Sequence, residues 1–200
     1  GSHRAGALLA RHALVSTQLE PDAKADYALW RKLWPYRDSG PCMMPATAHD
    51  LLDERRTLRL KVAHMSRNTA AVAEFLEQHP RVEKVDYLGL ASHPLHAIAS
   101  RYMQVVDDGT PAFGHLMSFN IRGNADDTRT FFDGLQRTFR ATDLGRIKTV
   151  ATIPAISTHQ QQGEEGRELA GILPTMVRLC VGAEHPDDTI ADLDQALAKI

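Results

Sequence analysis

The 200-residue sequence lacks the features of several special classes of protein. It has only two cysteines, Cys42 and Cys180, which are far apart and each in an apolar setting. This pattern does not indicate a disulfide framework and favours a reducing compartment. No apolar run reaches the roughly 18 residues that a membrane span needs, and the apolar stretch near the start is too short and wrongly flanked for a signal peptide. We therefore expect a cytoplasmic protein that does not bind membranes.

The sequence also lacks an excess of positive or negative charge. The formal net charge is -2, the isoelectric point is near 6.6, and basic residues alternate with acidic ones. A nucleic-acid partner is therefore not expected. The hydrophobic share of 43% and the charged share of 24% are those of an ordinary globular protein with one substantial core.

Common catalytic signatures are missing as well. The sequence contains no Gly-rich phosphate loop of the Walker or Rossmann type and no Ser/His/Asp signature. Ten histidines are present, with His93 and His96 at i, i+3 spacing, but no third ligand stands at the spacing of a zinc motif. The sequence therefore predicts no metal site.

What is present is a succession of strand-like and helix-like segments. The segment Ala5–Arg11 is short and apolar, and Pro21–Trp34 has the spaced aromatics of a helix. The stretch Ala46–Gln78 predicts two helices, or one helix with a bend near Thr57. These segments precede an α/β or α+β domain of about 130 residues.

Within that domain, apolar runs predict four strands, and the segments between and after them predict three helices. Asp126 or Asp127 would cap the middle helix, and a proline and acidic residues open the last one, as the helix dipole favours. The predicted strands are Val82–Tyr87, Phe113–Ile121, Ile147–Ile153 and Met176–Val181, and the predicted helices are His96–Met103, Asp126–Gln136 and Pro186–Leu197.

One charged residue interrupts the last apolar strand. Arg178 lies in the run Met176-Val-Arg-Leu-Cys-Val181, and a buried guanidinium without a partner costs several kcal/mol. A carboxylate is its natural bidentate partner. From the pattern alone two structural interpretations stay open: an edge strand with the guanidinium in water, or a pair with an Asp or Glu of the protein. The neighbouring Cys180 could have a lowered thiol pKa beside Arg178, or could be a small buried hydrophobic residue.

An ordered series of short motifs runs through the chain from Gly40 onward. It resembles the C-terminal signature of the Cys/Met-metabolism pyridoxal 5'-phosphate (PLP) family, which includes cystathionine γ-synthases, methionine γ-lyases and O-acetylhomoserine sulfhydrylases. The motifs are Gly89-Leu90, Ser92-His93-Pro94, Phe113-Gly114, Leu144-Gly145, Pro154-Ala155, Ser157-Thr158-His159, Val177-Arg178-Leu179, Val181-Gly182 and Asp192 to Leu197.

The resemblance implies a fold and a binding site. The fold is α/β, of the fold-type-I PLP-dependent transferase (aspartate aminotransferase-like) kind, with residues 1–38 ending the large domain and 39–200 forming a linker helix and the C-terminal domain. It also implies that Arg178 binds the substrate α-carboxylate, that Thr158 supports this arginine, and that Asp143 and Leu144 belong to the same site. Asp143 stands where the family has a serine, and its carboxylate would repel a substrate carboxylate unless it pairs with Arg178, is protonated or serves another substrate group.

The lysine that binds PLP covalently is not among the motifs. In the family it lies in the large domain and precedes a Gly-rich stretch, which the segment Gly1–Ala10 resembles, so the resemblance places the cofactor lysine upstream of Gly1. The absence of an initial methionine likewise leaves open that the natural chain begins further upstream. No catalytic residue is therefore expected within the chain, and its six lysines are interpreted as solvated surface residues. They are Lys24, Lys32, Lys61, Lys84, Lys148 and Lys199.

The resemblance implies a PLP enzyme that replaces or eliminates the γ-substituent of a homoserine-derived or sulfur amino acid. The run Ser157-Thr-His-Gln-Gln161 slightly favours sulfhydrylases over methionine or cystathionine γ-lyases. A homodimer or homotetramer with a shared active site is also implied. Two hypotheses from other classes stay open: a catalytically silent binding or assembly domain, and a sensor of small carboxylates that uses Arg178 without chemistry.

Overall fold

The computed structural model describes residues 43–104 and 109–200. Residues 57–200 belong to one compact unit. The predicted elements between Ala5 and Trp34, the cysteine Cys42 and the predicted boundary after residue 38 all lie outside the described residues. The Gly-rich segment Gly1–Ala10 also lies outside the described residues. Those predictions therefore stay predictions.

The first described element is one long helix, α1 (Pro45–Gln78). The expectation of two helices is wrong, because no helix-breaking residue interrupts the segment between the proline of its first turn and the His79-Pro80 pair after its end. Its C-terminal half is buried through Met65, Thr69, Val72 and Leu76, whose spacing places them on one helix face.

The remaining chain forms short helices and strands. The predicted helix Pro186–Leu197 is confirmed, the predicted strands are shorter than expected, and β3 and α4 had not been predicted. The strands are β1 (Val82–Asp86), β2 (Leu116–Ile121), β3 (Phe139–Arg140), β4 (Val150–Thr152) and β5 (Met176–Cys180), and the helices are α2 (His96–Tyr102), α3 (Ala125–Gly134), α4 (Gly163–Leu169) and α5 (Pro186–Leu197).

The start of α3 corrects a predicted cap. The cap is Asn124, whose side-chain oxygen accepts hydrogen bonds from the backbone of Asp126 at 2.7 Å and of Asp127 at 3.1 Å. Asp127 closes a capping box, because its carboxylate accepts the backbone N–H of Asn124 at 2.9 Å. Neither predicted aspartate is the cap, since the helix already includes both and only Asn124 has the extended backbone of a cap residue.

The strands form one sheet in the order β1-β2-β5-β4-β3. All neighbours are antiparallel except β3 and β4, which are parallel. The strand β5, which carries Arg178, is therefore the central strand. Four short strands surround it, and each contributes side chains alternately to the two faces of the sheet.

One face of the sheet packs on helices and forms the core. Phe119 of β2 meets Phe131 of α3 edge to face, with ring centroids 5.8 Å apart. Fully buried residues of α1, α3 and α5 complete this cluster with Met117, Val177 and Leu179 of the sheet. The opposite face, which carries Ser118 and Arg178, is left partly accessible.

The end of β5 is tied to α1 by a network of hydrogen bonds. The side-chain amide of Asn68 donates to the carbonyl oxygens of Gly182 at 3.1 Å and Glu184 at 2.8 Å. The Glu184 carboxylate in turn accepts the backbone N–H of Thr149 at 2.9 Å. This network fixes the position of β5 relative to the helix layer.

Among the described helices, none combines the length and apolar character needed to cross a membrane.

Candidate substrate-carboxylate site

Arg178 lies in the middle of the accessible sheet face. It is half-buried, and its Nη2 donates a hydrogen bond of 2.6 Å to the backbone carbonyl of Thr142. The edge-strand interpretation is wrong, because β5 has a paired strand on each side. The other structural interpretation is not met either: no described carboxylate forms an ion pair with Arg178. A neutral carbonyl satisfies one donor but leaves the positive charge without an anion.

Sheet register places polar side chains beside Arg178 in a row across four strands. Ser118 and Thr152 are its direct partners on the two neighbouring strands, and Asp86 pairs with Ser118 on the next strand. Directly paired residues point to the same face, so all four side chains share it. The sequence could not identify this row, because strand pairing is a long-range property that the local pattern does not contain.

A pocket of about 360 Å³ opens on this face. Arg178 supplies its positive charge and Asp86 a negative one, while Ser118 and His159 add polar groups. Apolar walls complete it: Tyr87, Leu88, Phe113, Leu116, Met117, Pro154, Ile172 and Met176. A mostly apolar cleft with a few fixed polar groups is typical of a site for a small molecule.

The segment after β4 forms one side of this pocket. The Thr152 hydroxyl shares a hydrogen bond of 2.8 Å with Ser157, and the hydroxyl of Ser157 donates to the carbonyl of Ile153 at 2.7 Å. Thr158 is exposed, and its hydroxyl lies 2.8 Å from Nδ1 of His159. No hydrogen bond joins Thr158 to Arg178 among the described residues. The supporting role of Thr158 stays a prediction, and His159 is the residue of this pair that lines the pocket.

Asp143 and Leu144 lie in the loop whose backbone binds Arg178. Asp143 forms an ion pair with Arg146, a partner that the sequence did not suggest. Its other carboxylate oxygen, Oδ1, is buried and has no hydrogen-bond partner within the described residues. Leu144 is 42% exposed. Neither residue lines the pocket, so their substrate contacts stay predictions.

Cys180 shares the face of Arg178 but is not activated. It is 2% exposed, and burial is the main influence that raises the pKa of its thiol. A hydrogen bond with the backbone of Gly145 and the charge of Arg178 act in the opposite direction, while Asp143 adds to the rise. The prediction of a small buried hydrophobic residue is confirmed, and the alternative of a lowered thiol pKa is wrong.

The chain is similar to known proteins of one family. The profile of the family described as Cys/Met metabolism PLP-dependent enzyme matches residues 11–198. The chain belongs to this family. An O-acetyl-L-homoserine sulfhydrylase of Leptospira meyeri is 37% identical over 82% of the chain, and an L-methionine gamma-lyase of Fusobacterium nucleatum subsp. polymorphum is 36% identical over 81%.

The fold is also that of a solved relative. The crystal structure of a putative O-acetylhomoserine (thiol)-lyase of Campylobacter jejuni superposes with a TM-score of 0.75 at 34% identity over 84% of the chain. The expected fold-type-I PLP-enzyme class is confirmed. The chain spans only 36% of the sulfhydrylase, 39% of the γ-lyase and 39% of the solved relative, so it corresponds to a part of each of them.

The described residues of this family member do not fit PLP itself. No lysine lines the pocket. Lys148 lies over the ring of Phe139 with its Nζ 5.2 Å from the centroid, and Lys199 reaches the carbonyl of Gly134 at 3.5 Å. The described pocket thus contains an arginine but no lysine that could bind the cofactor covalently.

The predictions made for the other lysines have different outcomes. Lys84 is exposed, as predicted, and Lys61 is partly exposed, which does not contradict the prediction. Lys24 and Lys32 lie outside the described residues. The cofactor lysine expected upstream of Gly1 would also lie outside them, and its position stays a prediction.

Proposed function

We propose that the protein containing this chain is a PLP-dependent enzyme that replaces the γ-substituent of a homoserine-derived amino acid, as sulfhydrylases do. In this proposal the chain binds the substrate α-carboxylate through Arg178. The observation that carries it is a central-strand arginine, in a pocket of about 360 Å³, whose described hydrogen bond goes to a neutral carbonyl rather than to a carboxylate.

The guanidinium of Arg178 suits this task physically. It presents a planar fork of donors that matches a carboxylate. Fixing the carboxylate at one point of the sheet orients the remaining substrate, which lowers the entropic part of the barrier. The apolar wall that includes Phe113, Met176 and Ile172 would exclude water from the alkyl chain of the substrate.

Elimination of the γ-substituent is the alternative within the same family. It is supported by the methionine γ-lyases among the relatives, while the sulfhydrylases and the homocysteine synthase support replacement. The full-length protein should be assayed with O-acetyl-L-homoserine plus sulfide and, separately, with L-methionine. We expect homocysteine and acetate from the first assay to form faster than 2-oxobutyrate from the second.

The same experiment separates the enzyme from the two non-catalytic hypotheses. A coloured full-length protein that turns over either substrate supports the enzyme. A full-length protein with no visible absorption and no turnover would overturn it and support a silent binding or assembly domain, and binding of simple carboxylates without turnover would support a sensor.

We also propose a cytoplasmic homodimer or homotetramer with an active site shared between subunits. The low cysteine content supports a reducing compartment. Leu58 and Leu60, which are 50% and 72% exposed on α1, are apolar side chains suited to a subunit contact. Light scattering of the full-length protein should give two or four times the subunit mass, and a monomer would contradict the proposal.

A further inference from the structure

Two arginines are anchored on consecutive residues of the loop that follows β3. Nη2 of Arg178 donates to the backbone carbonyl of Thr142 at 2.6 Å, and Nε of Arg146 donates to the carboxylate of Asp143. Neighbouring Cα atoms are about 3.8 Å apart. Arg178 is therefore bound to the backbone of Thr142 and Arg146 to the side chain of the next residue, Asp143, at the end of the site where the substrate carboxylate is proposed to lie.

The carboxylate of Asp143 would place a negative charge near the proposed carboxylate site. Its side chain is 33% exposed, and its Oδ1 is shielded from solvent without a donor in the described residues. Asp143 and Arg178 both act electrostatically on the thiol of Cys180, so the carboxylate and the guanidinium lie near the same end of β5. An uncompensated carboxylate there would repel the carboxylate of a substrate.

We propose that Arg146 is a second substrate-carboxylate-binding residue and that Asp143 is the positioning residue that holds it. The contact with Asp143 uses Nε of Arg146, and no other hydrogen bond of this guanidinium occurs within the described part of the chain. Its two terminal nitrogens remain as donors. Arg178, Arg146 and Asp143 together carry a net positive charge, which suits an incoming anion.

This inference rests on the proposed role of Arg178, and it extends that role by one residue. It also explains how an acidic residue can occupy a carboxylate site. Asp143 cannot donate a hydrogen bond when ionised, so the donor is supplied by the arginine that it orients. The pair follows i, i+3 spacing, and Arg146 is 45% exposed, which leaves it accessible to a ligand.

The test uses the full-length protein and two matched ligands. L-Norvaline carries the α-amino and α-carboxyl groups without a leaving group, and n-butylamine is the same molecule without the carboxylate. Dissociation constants are measured by calorimetry for the wild type and for Arg146→Ala, Arg146→Lys, Asp143→Ser with Arg146→Ala, and Arg178→Ala. Circular dichroism checks that each variant is folded.

We expect Arg146→Ala to weaken norvaline binding about 10- to 100-fold, the range for a lost charge-assisted hydrogen bond. Butylamine binding should not change. The double variant, which removes the unpaired carboxylate and supplies a hydroxyl, should recover most of the loss, and Arg146→Lys should recover part of it. For a turned-over substrate the change should appear in KM with kcat nearly constant.

Arg129→Ala is the matched control, because Arg129 pairs with Asp126 at the same i, i+3 spacing on the surface of α3, away from the pocket. It should leave both dissociation constants unchanged. Unchanged norvaline binding in Arg146→Ala, or an equal loss for both ligands, would overturn the inference while Arg178→Ala still supports the proposed function. A wild type that does not prefer norvaline to butylamine would overturn the proposed function and the inference with it.

Discussion

At the scale of single residues, the sequence singled out Arg178 but did not indicate its surroundings. Arg178 was recognisable because a charge in an apolar strand requires a partner. The partner itself, the carbonyl of Thr142, could not be predicted, since a backbone oxygen 36 residues away leaves no trace in residue type. The same holds for Arg146: its pairing with Asp143 depends on how the loop turns.

Replacing Arg178 by alanine in the full-length protein should raise KM by a factor that corresponds to about 2 to 4 kcal/mol, because the proposed charge-assisted bidentate contact is lost. The visible spectrum of the cofactor should not change, since the described residues around Arg178 are not those that fit PLP. Steady-state kinetics and absorption spectra measure both.

The control for this variant is Arg122→Ala. Arg122 also donates to backbone carbonyls, those of Pro80 at 3.2 Å and Val82 at 3.4 Å, but it lies outside the pocket. The KM of Arg122→Ala should equal that of the wild type. An unchanged KM in Arg178→Ala, or an equal rise in both variants, would contradict the assigned role.

At the scale of elements, sequence signals succeeded where they are local. Both ends of the helix Pro186–Leu197 were predicted correctly. Its start is marked by a proline and two aspartates in the first turn. Helix α4 was not predicted, since none of its residues is buried and no apolar period marks it. Strand β3 has only two residues and is defined by its pairing with β4. The central position of β5 was not predictable for the same reason: it is a result of pairing between distant segments.

The cap of α3 gives a first prediction at this scale. Asn124→Ala should lower the free energy of unfolding of the 200-residue chain by about 1 kcal/mol, because the backbone N–H groups of Asp126 and Asp127 lose their acceptor. Asn124→Asp, which keeps an acceptor, should cost much less. Urea denaturation measures both variants, and an equal loss in the two would show that the cap does not stabilise α3.

The connection between α3 and β3 depends on a buried carboxylate. Asp192 of α5 is 3% exposed and accepts backbone N–H groups from Gln136 at 2.8 Å, Arg137 at 3.0 Å and Thr138 at 2.8 Å. Burial alone would raise the pKa of Asp192, but these hydrogen bonds outweigh it and lower the pKa below its usual value. The loop is therefore held by the ionised form.

Asp192→Ala should destabilise this connection by about 1 to 3 kcal/mol, since buried donors lose their acceptor. Hydrogen exchange should show faster exchange at the amides of Gln136, Arg137 and Thr138. Because the folded pKa is lowered, the ionised carboxylate stabilises the wild type above the unfolded value of about 3.9, and this contribution is lost as the pH falls through the folded pKa. Asp192→Ala should lack that acid-sensitive step, and unchanged exchange at the three amides would contradict the assignment.

At the scale of the whole molecule, the two faces of the sheet differ in exposure within the described residues. Helices cover one face of the sheet, whereas the other face carries Arg178. The family resemblance was predictable from ordered motifs along the chain. The arrangement of the pocket was not predictable, because it depends on which residues strand pairing places beside Arg178.

The absence of a lysine from the described pocket predicts that the 200-residue chain and the full-length protein differ in PLP binding. The 200-residue chain, titrated with PLP, should show no absorption band of a protein-bound cofactor, because no lysine lines the pocket. The full-length protein should bind PLP, and its Arg178→Ala variant should bind it equally well. Borohydride reduction followed by mass spectrometry locates any modified lysine. A specific band in the 200-residue chain, with one lysine modified, would place the cofactor site within this sequence and contradict the assignment of the chain to substrate binding alone.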